Sequence, residues 1–356
     1  MKKIVLTGGG TGGHVTPNIA LIEALKKEDW DIHYLGTREG KEYELITAID
    51  GVTFHCIKSG KLRRYLSKEN ITDVFKVIAG FFQSASLIRK LKPDVVFAKG
   101  GFVSVPVVYG ARLHGIPTIL HESDMSLGLA NKLSLPCCKV LCTTFPEAAK
   151  AAGSKGVVTG TPMRSELFRG SRDKAAELFD LDINRPVLMI TGGSSGAQAI
   201  NNAVRAALDR LTQSFEVLHI CGKGNLDPAI EGTPHYHQFE YLNAEMPHAY
   251  AAADVIISRA GSNTLCEIIA LHKPALLIPY PKGDTSRGDQ IDNARSVEKR
   301  GLCRVLMQDN MNAGSLYDMV METYKNRGAL LDAMEHEDAN CDGVNNVMKQ
   351  IHKYCK

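Results

Sequence analysis

The chain carries almost no excess of charge of either sign: 42 Lys and Arg stand against 39 Asp and Glu in 356 residues, a formal net charge of +3. That balance excludes a protein whose work is to coat nucleic acid, although it leaves room for a local basic patch. The nine cysteines form no Cys-x-x-Cys pair, and most lie inside apolar runs. A disulfide framework or a zinc site is therefore not expected, and a reducing cytosol fits better. No apolar run approaches the ~20 residues that a transmembrane helix needs. The first such run, Ile4-Val5-Leu6, meets Gly8-Gly9-Gly10 too soon to be a signal peptide. No Gly-x-x-x-x-Gly-Lys-Ser/Thr loop is present, which argues against a P-loop nucleotidase. What remains is an ordinary globular composition, 44% hydrophobic and 23% charged, in a chain long enough for two domains.

Short β-branched runs alternate with amphipathic stretches, the sequence form of a parallel α/β sheet. Strands are expected over 4–7, 31–35, 95–98 and 117–121, with a helix over 18–27. The pattern restarts with strands over 187–191, 216–220, 255–258 and 275–279 and helices over 197–211 and 264–271. The runs are mostly apolar rather than alternating, as for strands covered on both faces. Thr7-Gly8-Gly9-Gly10-Thr11-Gly12-Gly13 is echoed by Thr191-Gly192-Gly193-Ser194-Ser195-Gly196-Ala197, which suggests two similar halves. The expected architecture is two doubly wound, Rossmann-like α/β domains, 1–163 and 164–340, facing each other across a cleft. Gly160-Thr161-Pro162-Met163-Arg164 reads as the hinge, and a short helix closes the chain within 341–356.

Glycine at a strand-to-helix turn lets a phosphate approach backbone amides at the positive end of a helix. Four places have this form: 8–13, 100–104, 192–197 and 261–264. Gly8-x-Gly10-x-x-Gly13 also fits the dinucleotide fingerprint, but the second strand runs into Leu35-Gly36-Thr37-Arg38 with no acid at its tip. An NADP oxidoreductase survives only through Arg38. A packing role would explain one such turn more easily than four. Asp180-Leu181-Asp182 reads as an acidic loop rather than a metal-holding Asp-x-Asp. His235-Tyr236-His237 has the form of half a metal site, but with no obvious carboxylate or third ligand nearby it reads as surface.

A more specific pattern lies in five linked motifs: Gly9-Gly10-Thr11-Gly12-Gly13-His14, Gly100-Gly101-Phe102-Val103-Ser104, His121-Glu122, Gly192-Gly193-Ser194-Ser195-Gly196-Ala197 and Ser258-Arg259-Ala260-Gly261. In this order and spacing the whole chain resembles the bacterial glycosyltransferases that add N-acetylglucosamine to the undecaprenyl-linked muramyl-pentapeptide of peptidoglycan. The resemblance implies a GT-B fold with an N-terminal acceptor domain, a C-terminal UDP-sugar domain and a last helix that crosses back to the first. It implies an inverting transfer from UDP-N-acetylglucosamine to the C4 hydroxyl of the muramyl sugar, with no metal and no redox cofactor. It also implies work at the cytoplasmic face of the membrane, with other cell-wall synthesis proteins as possible partners and no nucleic acid.

The resemblance assigns roles residue by residue. On the donor side, Glu267 at the helix start would accept the ribose hydroxyls, although an acid is favoured at that position anyway. Ser194, Ser195 and Gly196 would hold the diphosphate, with Arg164 and Arg259 adding charge; Arg259 reads equally as a structural ion-pair residue. Ser262, Asn263, Thr264 and Leu265 would contact nucleotide or sugar, Leu242 the uracil, and Gln290 the sugar hydroxyls. Thr11, Gly12, Gly13 and Asp124 would complete the donor set. Asp124, where many relatives have asparagine, can accept but not donate a hydrogen bond. Gly101, Phe102 and Ser104 would meet the acceptor. His14 is the first choice of general base and Glu122 its rival. Phe75, Ile78, Phe81 and Phe82, with Lys61, Arg63, Arg64, Lys68 and Lys76 around them, suit an anionic bilayer surface, though a core-packed helix would read the same way. The competing readings are a UDP-sugar 2-epimerase or a transferase with a soluble aglycone, and a non-catalytic UDP-binding protein.

Overall fold

Runs that are apolar on both faces become strands covered on both sides. In the computed structural model, which describes residues 1–10, 12–60, 68–193, 196–283, 288–337 and 342–356, they form two separate parallel sheets. The first holds β1 (Lys3–Thr7), β2 (Asp31–Gly36), β3 (Val52–Cys56), β4 (Val95–Ala98), β5 (Thr118–Glu122), β6 (Val140–Thr143) and β7 (Gly156–Val158), in the spatial order 3-2-1-4-5-6-7. The second holds β8 (Val187–Thr191), β9 (Glu216–Ile220), β10 (Tyr236–Phe239), β11 (Val255–Ser258), β12 (Ala275–Leu277) and β13 (Arg304–Val305), in the order 10-9-8-11-12-13. Each sheet reverses its winding once, between β1 and β4 and between β8 and β11. In doubly wound folds ligands bind beyond the carboxyl ends of the strands at such a point.

The chain divides into two compact units, Met1–Arg164 with Asp342–Lys356, and Ser165–Cys341. In the first, Ile4, Leu6, Tyr34 and Phe97 pack on one face of the sheet, and Val5, Leu35 and Val96 on the other. The helix Gly343–Tyr354 adds Val347, Met348 and Ile351 to the former cluster, so residues from the far end of the sequence complete the core of the first unit. In the second unit Leu188, Ile190, Val217, Ile257 and Leu276 meet Ile200, Phe215, Leu316 and Val320.

Several sequence expectations shift in detail. The helix expected over 197–211 is two, Gln198–Ala206 and Leu208–Ser214, parted at Ala207. The helix of the first glycine turn begins at Gly12, well before residue 18. Asp180 caps the helix Arg172–Phe179 in a left-handed conformation (φ 54°), and Asp182 accepts bonds from Asn184, which fits a loop. The expectation that His235 and His237 lack a carboxylate is wrong. Glu216, adjacent across the sheet though distant in sequence, meets His235 Nδ1 at 2.5 Å and His237 Nε2 at 3.0 Å. The cluster bridges neighbouring β9 and β10. Among the described residues no set of three His, Cys, Asp or Glu side chains is arranged to hold a metal ion.

Candidate active site

Each glycine turn rests on buried polar side chains. In the first unit Asn18, fully buried, directs Nδ2 to Thr7 O (3.3 Å) and to the Tyr34 hydroxyl (3.0 Å), and that hydroxyl donates to Gly8 O (2.5 Å). Glu42, also fully buried, accepts from Gly10 N at 3.1 Å and from Thr37 N and Oγ1 at 3.1 and 2.6 Å. This is an acid beside the second strand that the sequence reading did not find. Three donors occupy its carboxylate, so it ties the glycine turn to the end of β2.

The second glycine turn comes close to the first. Gly101 has φ +78°, and a Cβ there would lie 2.4 Å from Gly9 O and 3.3 Å from His14 Nδ1, so only glycine fits and the half-buried His14 ring borders it. Gly12 and Gly13 open the helix Gly12–Lys27, with His14 in its first turn. Thr11 lies outside the described residues. Phe102 is half-buried and its carbonyl accepts from Ser59 Oγ at 3.2 Å. Ser104 is 1% exposed and donates to Gly101 O at 2.8 Å, so its hydroxyl closes its own turn.

At the end of β5 the chain turns a tight corner. Glu122, 7% exposed, accepts from Asp124 N (3.2 Å) through Oε1 and from Gly128 N (2.8 Å) and Asn131 Nδ2 (3.0 Å) through Oε2. Burial pushes its carboxyl pKa up, and these donors oppose that push. Asp124 is half-buried in the same corner. His121 is fully buried with Nε2 2.9 Å from Gly160 O; burial, then the charge of Lys99, holds its pKa well below the ordinary value.

The second unit builds its turns in a related way. Asn201, fully buried, donates to Cys221 O (3.0 Å) and meets His219 Nε2 through Oδ1 (3.1 Å), while His219 Nδ1 meets the Tyr236 hydroxyl (2.9 Å). Burial, then the charge of Arg205, lowers the His219 pKa to about 3. Gly196 has φ +70°, and a Cβ there would sit 2.4 Å from Cys221 O. Ser194 and Ser195, expected to hold a diphosphate, lie outside the described residues.

After β11 the chain passes Arg259-Ala260-Gly261 into the helix Ser262–Ala270. Ser262, Asn263 and Thr264 form its half-buried first turn and Leu265 is buried beneath. Glu267 is the sixth residue of this helix and so belongs to its second turn, not to the start; Tyr250 donates to its Oε2 at 2.9 Å. Arg259 is 8% exposed, and its guanidinium donates to Ile278 O (3.0 Å), Pro279 O (3.3 Å) and Gln308 Oε1 (2.7 Å). These partners are carbonyl oxygens rather than a carboxylate, and they tie Arg259 to the loop after β12 and, through Gln308, to the chain after β13. Gln290 accepts from Tyr280 N at 2.9 Å, and the buried Asn293 donates to Ala260 O at 3.3 Å. Leu242 is half-buried in the loop after β10, and Arg164 is half-buried at the end of the first unit. Tyr250 escaped the sequence reading because it lies in no motif, and Asn293, three residues after Gln290, because nothing local marks it as the partner of Ala260 O.

On the helix Lys68–Leu91, Phe75, Ile78 and Phe82 are 68%, 48% and 66% exposed and share one face by their spacing. Phe81 is half-buried, with its ring edge-on to Phe82 at 5.3 Å. Lys76 lies exposed beside them; Lys61, Arg63 and Arg64, and the side chain of Lys68, lie outside the described residues. Among the described residues no helix is long and apolar enough to cross a membrane.

Residues 4–141 match the N-terminal domain of glycosyltransferase family 28, and residues 187–351 match its C-terminal domain. The chain is 48% identical to the UDP-N-acetylglucosamine--N-acetylmuramyl-(pentapeptide) pyrophosphoryl-undecaprenol N-acetylglucosamine transferase of Clostridium novyi, over 99% of each chain. It is also 48% identical to the protein of that name from Geobacillus kaustophilus, over 95% of each. In fold it is similar to MurG of Acinetobacter baumannii, with a TM-score of 0.76 over 99% of this chain and 100% of that one at 24% identity. Two sheets that each reverse once beside a glycine turn, matched domain by domain and along nearly the whole length, make this chain a member of glycosyltransferase family 28, with the two-domain GT-B fold.

Proposed function

We propose that the chain is the UDP-N-acetylglucosamine-dependent hexosyltransferase that glycosylates undecaprenyl-pyrophosphoryl-muramyl-pentapeptide in peptidoglycan synthesis. The observation that carries this reading is the identity, 46–48% over almost all of the chain, to curated relatives bearing that name. In the reaction the C4 hydroxyl of the muramyl sugar attacks the anomeric carbon of the donor. The new C–O bond forms as the bond to UDP breaks, the electron pair leaves with the diphosphate, and the hydroxyl proton passes to a base.

His14 is that base. It stands half-buried at the edge of the Gly101 turn, and an imidazole has the right intrinsic pKa for the task. Glu122 is the weaker candidate because its carboxylate already accepts from three donors and shapes its own corner. UDP binds the second unit: Glu267 takes the ribose, and the 192–197 turn and the helix opening at Ser262 take the diphosphate and sugar. A helix N-terminus stabilises the negative charge that develops on the leaving group. Leu242 packs the uracil and Gln290 reads the sugar. Gly12, Gly13 and Asp124 belong to the donor set, and Gly101 and Phe102 meet the acceptor. Arg259 acts through the loop it clasps, and Arg164 adds charge at the diphosphate.

The exposed stripe Phe75, Ile78 and Phe82, with Lys76 beside it, docks on anionic lipid and brings the enzyme to the cytoplasmic face of the membrane. Replacing Phe75 and Phe82 with serine is expected to reduce binding to anionic vesicles at least tenfold, and unchanged binding would remove the stripe from that role. The decisive experiment for the reaction offers labelled UDP-N-acetylglucosamine and UDP-N-acetylgalactosamine with a short-chain analogue of the lipid-linked acceptor, with and without EDTA. Disaccharide from the glucosamine donor alone, unaffected by EDTA, is the expected result. UDP binding without product would point to an epimerase or a binding protein.

A further inference from the structure

A cavity of about 840 Å³ opens in the first unit, and no role assigned so far uses it. Its walls follow from the path of the chain. After β2 the loop 37–40 leads into the short helix Lys41–Thr47 and is held by the bonds from Thr37 to Glu42. After β3 the segment 57–60 lies against the helix Lys68–Leu91. Ile57 N donates to Gly36 O at 2.9 Å, and Lys58 N donates to Gln83 Oε1 at 2.7 Å. Gly80 admits this segment, since a Cβ there would collide with Lys58 O. Gly10 and Phe102 also line the cavity, and a Cβ on Gly10 would lie 2.6 Å from Phe102 Cε1. The cavity thus reaches the two glycine turns that border His14.

Among the described residues that line it, four are cations, Arg38, Lys41, Lys58 and Lys76, and two are acids, Glu39 and Asp73. Lys76 pairs with Asp73, Nζ to Oδ1 at 3.4 Å. Arg38, Lys41 and Lys58 are exposed and have no carboxylate partner among the described residues. Positive charge left unanswered around a concave wall attracts an anionic ligand. We propose, resting on the transferase reading, that this cavity is the subsite for the stem peptide of the acceptor, with Arg38, Lys41 and Lys58 taking its free carboxylates. The pentapeptide is joined by its amino end to the lactyl group on C3 of the muramyl sugar, so it ends in a free carboxylate. It starts one ring carbon from the C4 hydroxyl that reacts, whereas the diphosphate hangs from C1 across the ring. A sugar with C4 at His14 presents the root of its peptide near Gly10 and Phe102, where the cavity meets the turns. Size and charge agree with a peptide. The volume lies toward the top of the range of ~300–1,000 Å³ for ligand sites and far exceeds a diphosphate. Glu39 would repel a diphosphate but can accept from peptide N–H groups. The guanidinium of Arg38 suits a carboxylate held through two hydrogen bonds.

Two soluble short-chain acceptors test the assignment, one with the whole pentapeptide and one cut to its first residue and closed as the amide. The full chain and its Arg38→Gln/Lys41→Gln/Lys58→Gln variant are assayed with each. In the variant the KM for the pentapeptide acceptor is expected to rise about 10–100-fold, the scale of one or two charge-assisted hydrogen bonds. The KM for the cut acceptor, the donor KM and kcat are expected to stay in place. Lys58→Glu alone, which reverses one charge at an exposed position, is expected to act in the same direction by less, and it carries the test if the triple variant does not fold. An equal rise for both acceptors would overturn the proposal and give the cations to the diphosphate or the lipid; no rise for either would overturn it as well. A second readout needs no turnover. Cys56 is exposed and lines the cavity, and its alkylation by iodoacetamide is followed by mass spectrometry as either acceptor is added without donor. Protection by the pentapeptide acceptor and not by the cut one is expected, and equal protection or none would overturn the assignment. If neither acceptor gave product, the transferase reading would fall, and the protection of Cys56 alone would still decide whether the cavity takes the peptide.

Discussion

The two halves solve one problem with different chemistry. Each has a glycine turn at the end of its first strand and buries an asparagine from the following helix: Asn18 donates to Thr7 O beside its turn, and Asn201 donates to Cys221 O just past the next strand. Each asparagine meets the fourth residue of the next strand, Tyr34 in β2 or His219 in β9. The echo seen in the glycines thus continues into the buried layer below them. The difference is in the charge nearby: in the first half an acid, Glu42, accepts from Gly10 N and from Thr37, whereas in the second the Asn201–His219–Tyr236 chain is itself uncharged and has a cation, Arg205, beside it. The first half is assigned the proton transfer and the second the nucleotide.

The comparison can be broken by substitutions that act on one half only. The largest effect is expected from His14→Ala, which should lower kcat by roughly 10²–10⁴-fold while UDP affinity, measured calorimetrically, stays unchanged. Loss of UDP binding in that variant would erase the distinction between the halves. Glu267→Ala should do the reverse, weakening UDP binding about 10–100-fold, as expected for charge-assisted hydrogen bonds, with melting temperature retained. An unaltered Kd would remove Glu267 from the ribose.

Those two predictions show how unevenly the sequence speaks. The strands, both sheet reversals and the glycine turns are legible because apolar runs and positive-φ residues leave local marks. His14 and Gly101 carry a motif and are brought together. Glu42, Lys99 and Tyr250 carry none, because a polar residue is buried by what the fold lays over it, and that depends on partners distant in the chain. Glu216 illustrates the same limit: its two histidine partners adjoin it in space but not in sequence. Glu267 was assigned to a first turn because sequence fixes helix boundaries poorly.

Two smaller effects sharpen the comparison. Glu42→Gln keeps an acceptor but sets an NH₂ against backbone donors, so the acceptor KM should rise about tenfold, the scale of one or two lost hydrogen bonds, with donor KM unchanged. A change in donor KM instead would mean that Glu42 serves both substrates. The last concerns pH. His219 is neutral in the fold with its pKa lowered to about 3, so the unfolded chain binds the extra proton below about pH 6.5. Its contribution to stability is complete above that pH and is lost as pH falls toward 3, about 2 kcal/mol of it by pH 5. His219→Gln should therefore lose less melting temperature than the unmodified chain between pH 7.5 and 5, and parallel losses would exclude His219 as the acid-labile group.

The placement of the helix Gly343–Tyr354 has a consequence for synthesis. Because Val347, Met348 and Ile351 belong to the core of the first unit, that unit is interrupted in sequence by the whole of Ser165–Cys341. A ribosome therefore releases the first sheet with part of its apolar face uncovered, on the order of tens of seconds before the helix that covers it exists. The half that begins translation first is the half that finishes folding last, and during that interval it is the natural client of a chaperone.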